Sequence, residues 1–170
     1  MKLLIAYSSK HGTTKRCAEM LAEKLASAEV DICDVNKETP ASPEEYDVVV
    51  LGSSIRWGSA SKKIKRYAKE HRDKLNNMPS AVFLCCGYPD EFEEYVRGQF
   101  GKYLTPTYDF HCFGGELKPK QVKGFERLIV RFARRSIIEH DFEDSNYVGS
   151  LPDILPDSIS ILADMILKRR

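Results

Sequence analysis

Leu3-Leu-Ile-Ala-Tyr-Ser-Ser-Lys-His-Gly-Thr-Thr14 is the stretch whose reading decides the fold. Its first half, Leu3 to Tyr7, is an apolar run with the length and branching of a fully buried strand. Two serines, a glycine and two threonines punctuate its second half. Lys15 to Ala28 then reads as an amphipathic helix, with Cys17, Ala18, Leu21, Ala22 and Leu25 on one face. A strand that stops in a hydroxyl-rich turn and restarts as a helix leaves backbone N–H groups unpaired at the helix start. Those donors, the hydroxyls and the positive end of the helix dipole suit a phosphate. They suit equally well a plain helix cap supplied by Ser9 or Thr13.

The turn has neither the G-x-G-x-x-G of a dinucleotide fold nor the G-x-x-x-x-G-K-[ST] of a nucleoside triphosphatase. No cysteine lies in it, which excludes a thiol phosphatase loop. A phospho-receiver domain needs acidic residues at the ends of its first and third strands, where Ser8 and Ser53 stand here.

Downstream, strand and helix patterns alternate. Val30 to Val35 reads as an edge strand with one wet face, Tyr46 to Leu51 as a central strand, Pro79 to Cys86 as a fourth and Tyr108 to Phe113 as a fifth. Helical spacing runs from Ala60 to Leu75, Phe92 to Leu104, Gln121 to Ile138 and Ile159 to Lys168. Such alternation predicts an α/β fold: a doubly wound, five-stranded parallel sheet in the order 2-1-3-4-5 with helices on both faces. Its crevice lies beyond the carboxyl ends of strands one and three. The 170 residues, with no repeat and no long linker, fit a single domain spanning 1–170.

A net charge of +1 gives no global field for nucleic acid. A strand pattern at the very start of the sequence leads us to expect no leader, and no apolar run approaches the length of a membrane span. Its five cysteines are odd in number and lack C-x-x-C spacing. They predict free thiols in a reducing cytoplasm, with no disulfide framework and no metal site. Cys85 and Cys86 are adjacent, so strand alternation sends them to opposite faces and argues against a redox pair. His71 and His111 read as structural, and no residue is marked as a catalytic acid or base.

Three loops at strand ends share that crevice. The second, Gly52-Ser-Ser-Ile-Arg-Trp-Gly-Ser59, holds the only tryptophan; the third, Gly87-Tyr-Pro-Asp90, holds a tyrosine beside glycine and proline. A flat aromatic ligand with a phosphate tail would use both aromatics for stacking and the glycines for close backbone approach. With these residues the chain resembles the flavodoxin family from end to end. The resemblance implies FMN, with Ser9, Lys10, His11, Gly12, Thr13 and Thr14 around the phosphate. It puts Ser54, Ile55, Arg56, Trp57 and Gly58 on one face of the ring, and Cys86, Gly87 and Tyr88 on the other.

Within that family, Ile5-Ala-Tyr-Ser-Ser9, Gly52 to Ser59, Leu75-Asn-Asn-Met-Pro-Ser-Ala81 and the run from Phe125 to Arg135 are similar to the menaquinone-dependent protoporphyrinogen oxidases. That likeness implies electron transfer from a tetrapyrrole to a quinone-like acceptor. Where those oxidases carry a basic, proline-rich insertion after the fourth strand, this chain has Asp90-Glu-Phe-Glu-Glu-Tyr95. Lys118 to Arg135 carries seven basic residues against the single acidic Glu126, with Val122, Phe125, Leu128, Ile129 and Phe132 at helical spacing. That pattern suits either packing on the sheet or contact with an anionic membrane or partner. A stand-alone electron carrier between proteins and a flavin-free docking module are the alternative functions.

Overall fold

The computed structural model describes residues 1–86, 92–115 and 153–168. Five apolar segments form strands: β1 (Lys2–Ser8), β2 (Glu29–Asp34), β3 (Val48–Ser54), β4 (Ser80–Cys85) and β5 (Phe110–Cys112). All pair in parallel in the order β2-β1-β3-β4-β5, as expected. The helices among the described residues are α1 (Thr13–Lys24), α2 (Lys62–Glu70), α3 (Arg72–Asn77), α4 (Phe92–Gln99) and α5 (Pro156–Lys168).

Strand alternation sorts the apolar residues into two cores, one on each face of the sheet. Leu3, Ile5, Tyr7, Val50, Phe83 and Cys85 point to one face, which α1 covers with Cys17, Ala18, Leu21 and Leu25 and α5 with Ile159, Leu162 and Ile166. Leu4, Ala6, Val49, Leu51, Val82 and Leu84 point to the other, under Ile64, Tyr67 and Ala68 of α2, Leu75 of α3, and Phe100. Each large side chain so buried contributes about 1.5–3 kcal/mol. The central strands are buried on both faces, which explains why they read as continuous apolar runs.

The structure departs from the sequence pattern locally at four places. The helical run from Ala60 to Leu75 is two helices, because His71 leaves the helical conformation (φ −107°, ψ 18°) with its ring packed on Tyr67, centroids 4.6 Å apart. Helix α4 stops at Gln99, where the Phe100 and Gly101 amides both turn back to the Val96 carbonyl and Phe100 drops into the core. Strand β5 cannot start at Tyr108, since Asp109 is left-handed (φ 67°) and its carboxylate accepts the Phe110 N–H at 2.8 Å. On the edge strand β2, Cys33 is the buried position, followed by buried Val35 just past the strand, while Ile32 is 40% exposed.

The chain closes beside β5. Gly114 and Ile154 form an antiparallel bridge, and the Leu155 N–H donates to the Phe113 carbonyl at 3.0 Å, which leads directly into α5. Among the described residues, no helix is long and apolar enough to cross a membrane. The basic run Lys118 to Arg135, the helix expected over Gln121 to Ile138, and Gly87 and Tyr88 lie outside the described residues.

Candidate functional site

Parallel pairing brings the ends of β1, β3 and β4 to one edge of the sheet. Ser8 is in register with Ser53, and Ser54 with Cys85, so the loops that leave these strands start side by side.

The first loop runs from Ser9 to the start of α1. Gly12 is the residue before the helix, at φ 94°, a conformation that glycine adopts without strain. No side chain caps α1: the Ser9 hydroxyl instead accepts the Gly12 N–H at 3.1 Å. The plain-cap reading of Ser9 and Thr13 is therefore not what the loop does. Lys10 is exposed, and Ser9, His11 and Thr13 are half-buried. Thr14 is 1% exposed, and its Oγ1 is buried with no hydrogen bond of good geometry. It lies close enough to the Cys85 thiol to favour the thiolate there, yet a sulfur is a weak partner for a hydroxyl. An unsatisfied hydroxyl of this kind costs about 1–3 kcal/mol. The first turns of α3, α4 and α5 each carry acidic residues (Asp73; Glu93 and Glu94; Asp157), whereas those of α1 and α2 carry none. An anion at this helix start would meet no opposing carboxylate in that turn.

Asn36 anchors this loop from just beyond the carboxyl end of β2. It donates from Nδ2 to the Ser9 carbonyl at 3.2 Å and accepts the Ser8 hydroxyl at 3.2 Å. Lys63 Nζ in turn donates to the Val35 and Asn36 carbonyls at 2.8 and 3.2 Å.

The second loop is a tight turn. The Ile55 N–H still donates to the Cys85 carbonyl at 2.8 Å, extending the β3–β4 ladder. Arg56 and Ser59 then exchange both backbone hydrogen bonds, at 2.9 and 3.0 Å. The two residues between them, Trp57 (φ 53°) and Gly58 (φ 68°), are both left-handed, the signature of a type I′ turn. Glycine suits that position; tryptophan pays roughly 1–2 kcal/mol for its own. Trp57 is also 68% exposed, so its indole is held out from the edge of the sheet rather than packed beneath it. Strained and exposed aromatics of this kind gather at ligand sites. Ser54, Ile55 and Arg56 are half-buried and Gly58 is exposed.

Gln99, at the end of α4, holds the turn in place. Its Nε2 donates to the Gly58 carbonyl at 3.2 Å, while its Oε1 accepts the Ser59 hydroxyl at 3.2 Å and Lys65 Nζ at 2.8 Å. Neither Gln99 nor Asn36 stands out in the sequence. Each is an ordinary polar residue on an element remote in sequence from the loop it supports, and only the packing of α4 and of the β2 end reveals its role.

At the third loop, Cys86 is buried and its Sγ lies 3.5 Å from Cys112 Sγ on β5. Cys85 points to the opposite face, with Sγ 3.7 Å from Cys17 Sγ of α1. Burial and the Cys17 hydrogen bond push the Cys85 thiol well above its ordinary range, the hydrogen bond being the larger cause. The structure thus brings the first two loops and Cys86 to one edge; the placement of Gly87 and Tyr88 against them is not among the described residues.

Residues 4–144 match the flavodoxin domain family. Over 140 residues, 77% of each chain, the sequence is 36% identical to the protoporphyrinogen IX dehydrogenase [quinone] of Escherichia coli K12. The fold is similar to that of a flavodoxin from Streptococcus pneumoniae, with a TM-score of 0.60 at 14% identity over the whole of both chains. It is also similar to two-electron reduced Megasphaera elsdenii flavodoxin, with a TM-score of 0.51 at 14% identity, covering 65% of this chain and 84% of that one. The flavodoxin domain implies FMN as cofactor. The residues present fit its phosphate: a buried hydroxyl lacks a partner at an uncapped helix start that has no acidic side chain in its first turn. The chain belongs to the flavodoxin family.

Proposed function

We propose that this chain is an FMN-dependent oxidoreductase that takes electrons from a protoporphyrinogen-like tetrapyrrole and delivers them to a quinone. The observation that carries the flavin is the buried, unpartnered Thr14 hydroxyl at the start of α1. The 36% identity to a quinone-dependent protoporphyrinogen dehydrogenase supports the choice of donor and acceptor.

In this reading Ser9, Lys10, His11, Gly12, Thr13 and Thr14 hold the FMN phosphate, through hydroxyls and the backbone N–H groups of the first turn. Ser54, Ile55, Arg56, Trp57 and Gly58 line one face of the ring, and Cys86, Gly87 and Tyr88 the other. Bound FMN supplies the two-electron and one-electron chemistry, and the protein supplies binding, orientation and electrostatics. Trp57 offers a stacking face whose position Gln99 fixes through Gly58 and Ser59. The Ile55 N–H is already committed to Cys85, so other amides of the turn must meet the polar edge of the ring. No side chain is assigned as acid or base. The chain acts as a single domain in the cytoplasm, and the basic run Lys118 to Arg135 touches an anionic membrane surface where quinones reside.

The test is the visible spectrum of the purified chain with FMN, before and after dithionite, followed by turnover of protoporphyrinogen with a menaquinone analogue. A bound, reducible flavin and turnover without a second protein support the proposal. Flavin binding with electron transfer only between a reductase and an acceptor protein would make the chain a carrier. A chain that refuses FMN would leave the docking-module reading.

A further inference from the structure

Four of the five thiols stand in two close pairs, and the pairs live in opposite environments. Cys17 and Cys85 are sealed in the core between α1 and the sheet, with the Cys85 thiol pushed well up. Burial and Glu38 likewise raise the remaining thiol, Cys33, to about 11. Cys112 differs: it is half-buried on the short edge strand β5 and is lowered to about 7. The hydrogen bond with Cys86 is the largest cause, helped by a backbone hydrogen bond at Gly114 and opposed by burial. That lowering raises the share of thiolate, the nucleophilic form, at neutral pH.

The backbone sets the two sulfurs of this pair face to face. Leu84 of β4 is in register with Cys112 of β5, and Cys86 stands two residues beyond Leu84, hence on the same face of the sheet. A disulfide requires the sulfurs, now 3.5 Å apart, to close by about 1.5 Å. An edge strand of three residues at the rim of the sheet, paired with β4 on one side only, resists that adjustment least.

We propose that Cys86 and Cys112 form an oxidisable dithiol site, converted by peroxides into a β4–β5 disulfide while Cys17, Cys33 and Cys85 stay reduced. The Cys112 thiolate attacks one peroxide oxygen, the O–O bond breaks, and hydroxide leaves and is protonated to water. The product is a Cys112 sulfenic acid. The Cys86 thiol, giving up its proton, then attacks that sulfur; the S–O bond breaks and a second water leaves. Two thiols lose two electrons and one hydrogen peroxide is reduced to two waters, so no other reactant is needed. Cys86 is the residue at which the chain enters the third crevice loop, so the bond ties the start of that loop to β5. The site does not depend on the flavin reading.

The experiment treats the reduced full-length chain with hydrogen peroxide, alkylates the remaining thiols and maps cross-linked peptides by mass spectrometry. A Cys86–Cys112 peptide lighter by two hydrogens is expected. Cys85→Ser, which removes the thiol next to Cys86, should leave that cross-link in place. Cys112→Ser should abolish it. Cys86→Ser should leave a sulfenic acid on Cys112 that dimedone traps, at a rate at least about tenfold above labelling of any buried cysteine. Oxidation that leaves Cys86 and Cys112 unlinked, a cross-link that disappears in Cys85→Ser, or prior oxidation of Cys33 would overturn the proposal.

Discussion

Thr14→Val separates a phosphate ligand from a packing residue, because the two roles predict opposite signs. The Thr14 side chain is 1% exposed and its Oγ1 has no hydrogen bond of good geometry. Valine has nearly the same shape and no hydroxyl, so the substitution removes a desolvated polar atom without opening a cavity. The unsatisfied hydroxyl costs about 1–3 kcal/mol, and part of that returns as stability in the FMN-free chain. For a chain of this size about 1 kcal/mol raises Tm by roughly 2–4 °C. With FMN bound, the same hydroxyl donates to a charged phosphate, a bond worth about 1.5–3 kcal/mol. Its loss weakens FMN binding by roughly 10- to 150-fold, at about 1.4 kcal/mol per factor of ten. Differential scanning calorimetry without FMN and an FMN titration check the two halves. A variant with lower Tm in the FMN-free chain and unchanged FMN affinity would refute the reasoning, since Thr14 would then be only a core residue.

The remaining predictions concern the turn and the thiols. Trp57→Gly relieves a left-handed tryptophan and buries nothing new, so the FMN-free chain should be as stable or more so by about 1 kcal/mol. Its FMN affinity should fall roughly tenfold through lost stacking, and the flavin potential should shift; unchanged affinity and potential would remove Trp57 from the site. Gln99→Ala deletes the partner of Gly58, Ser59 and Lys65, and should lower stability by about 1–2 kcal/mol in chemical denaturation. It should also weaken FMN binding although Gln99 need not touch the ring. Alkylation of Cys112 by iodoacetamide should level off above a pH of about 7. Below it the rate falls about tenfold per pH unit as the thiolate is protonated, whereas an ordinary thiol keeps accelerating to about 8.5.

The architecture was legible because its signals are local. Continuous apolar runs marked β1, β3 and β4, and hydroxyl and glycine residues marked the first two loops, where the structure indeed turns. Long-range contacts left no such trace. Gln99 supports a turn some 40 residues away, and nothing in the run Val-Arg-Gly-Gln-Phe singles it out. The Cys86–Cys112 pairing depends on the β4–β5 register, which no short window encodes, although alternation did separate Cys85 from Cys86. The break at His71, where the backbone leaves the helical conformation and the ring packs on Tyr67, is invisible to a spacing argument that runs one helix from Ala60 to Leu75. On β2 the apolar character of Ile32 is misleading, since on this edge strand the residue is 40% exposed. Ser9 and Thr13 show the same limit at the site: both are good capping types, yet Gly12 takes the cap position and turns Ser9 back onto the loop.

The central claim is that the edge formed by the ends of β1, β3 and β4 binds FMN through its phosphate. Titrating the chain with FMN and, in parallel, with riboflavin tests it directly, because the two ligands differ only in that phosphate. The single tryptophan, Trp57, reports from the site itself. Saturation at one equivalent of FMN with quenching of Trp57 emission, and much weaker binding of riboflavin, is the predicted result. Equal affinity for the two ligands, or FMN binding that leaves Trp57 emission unchanged, would contradict it.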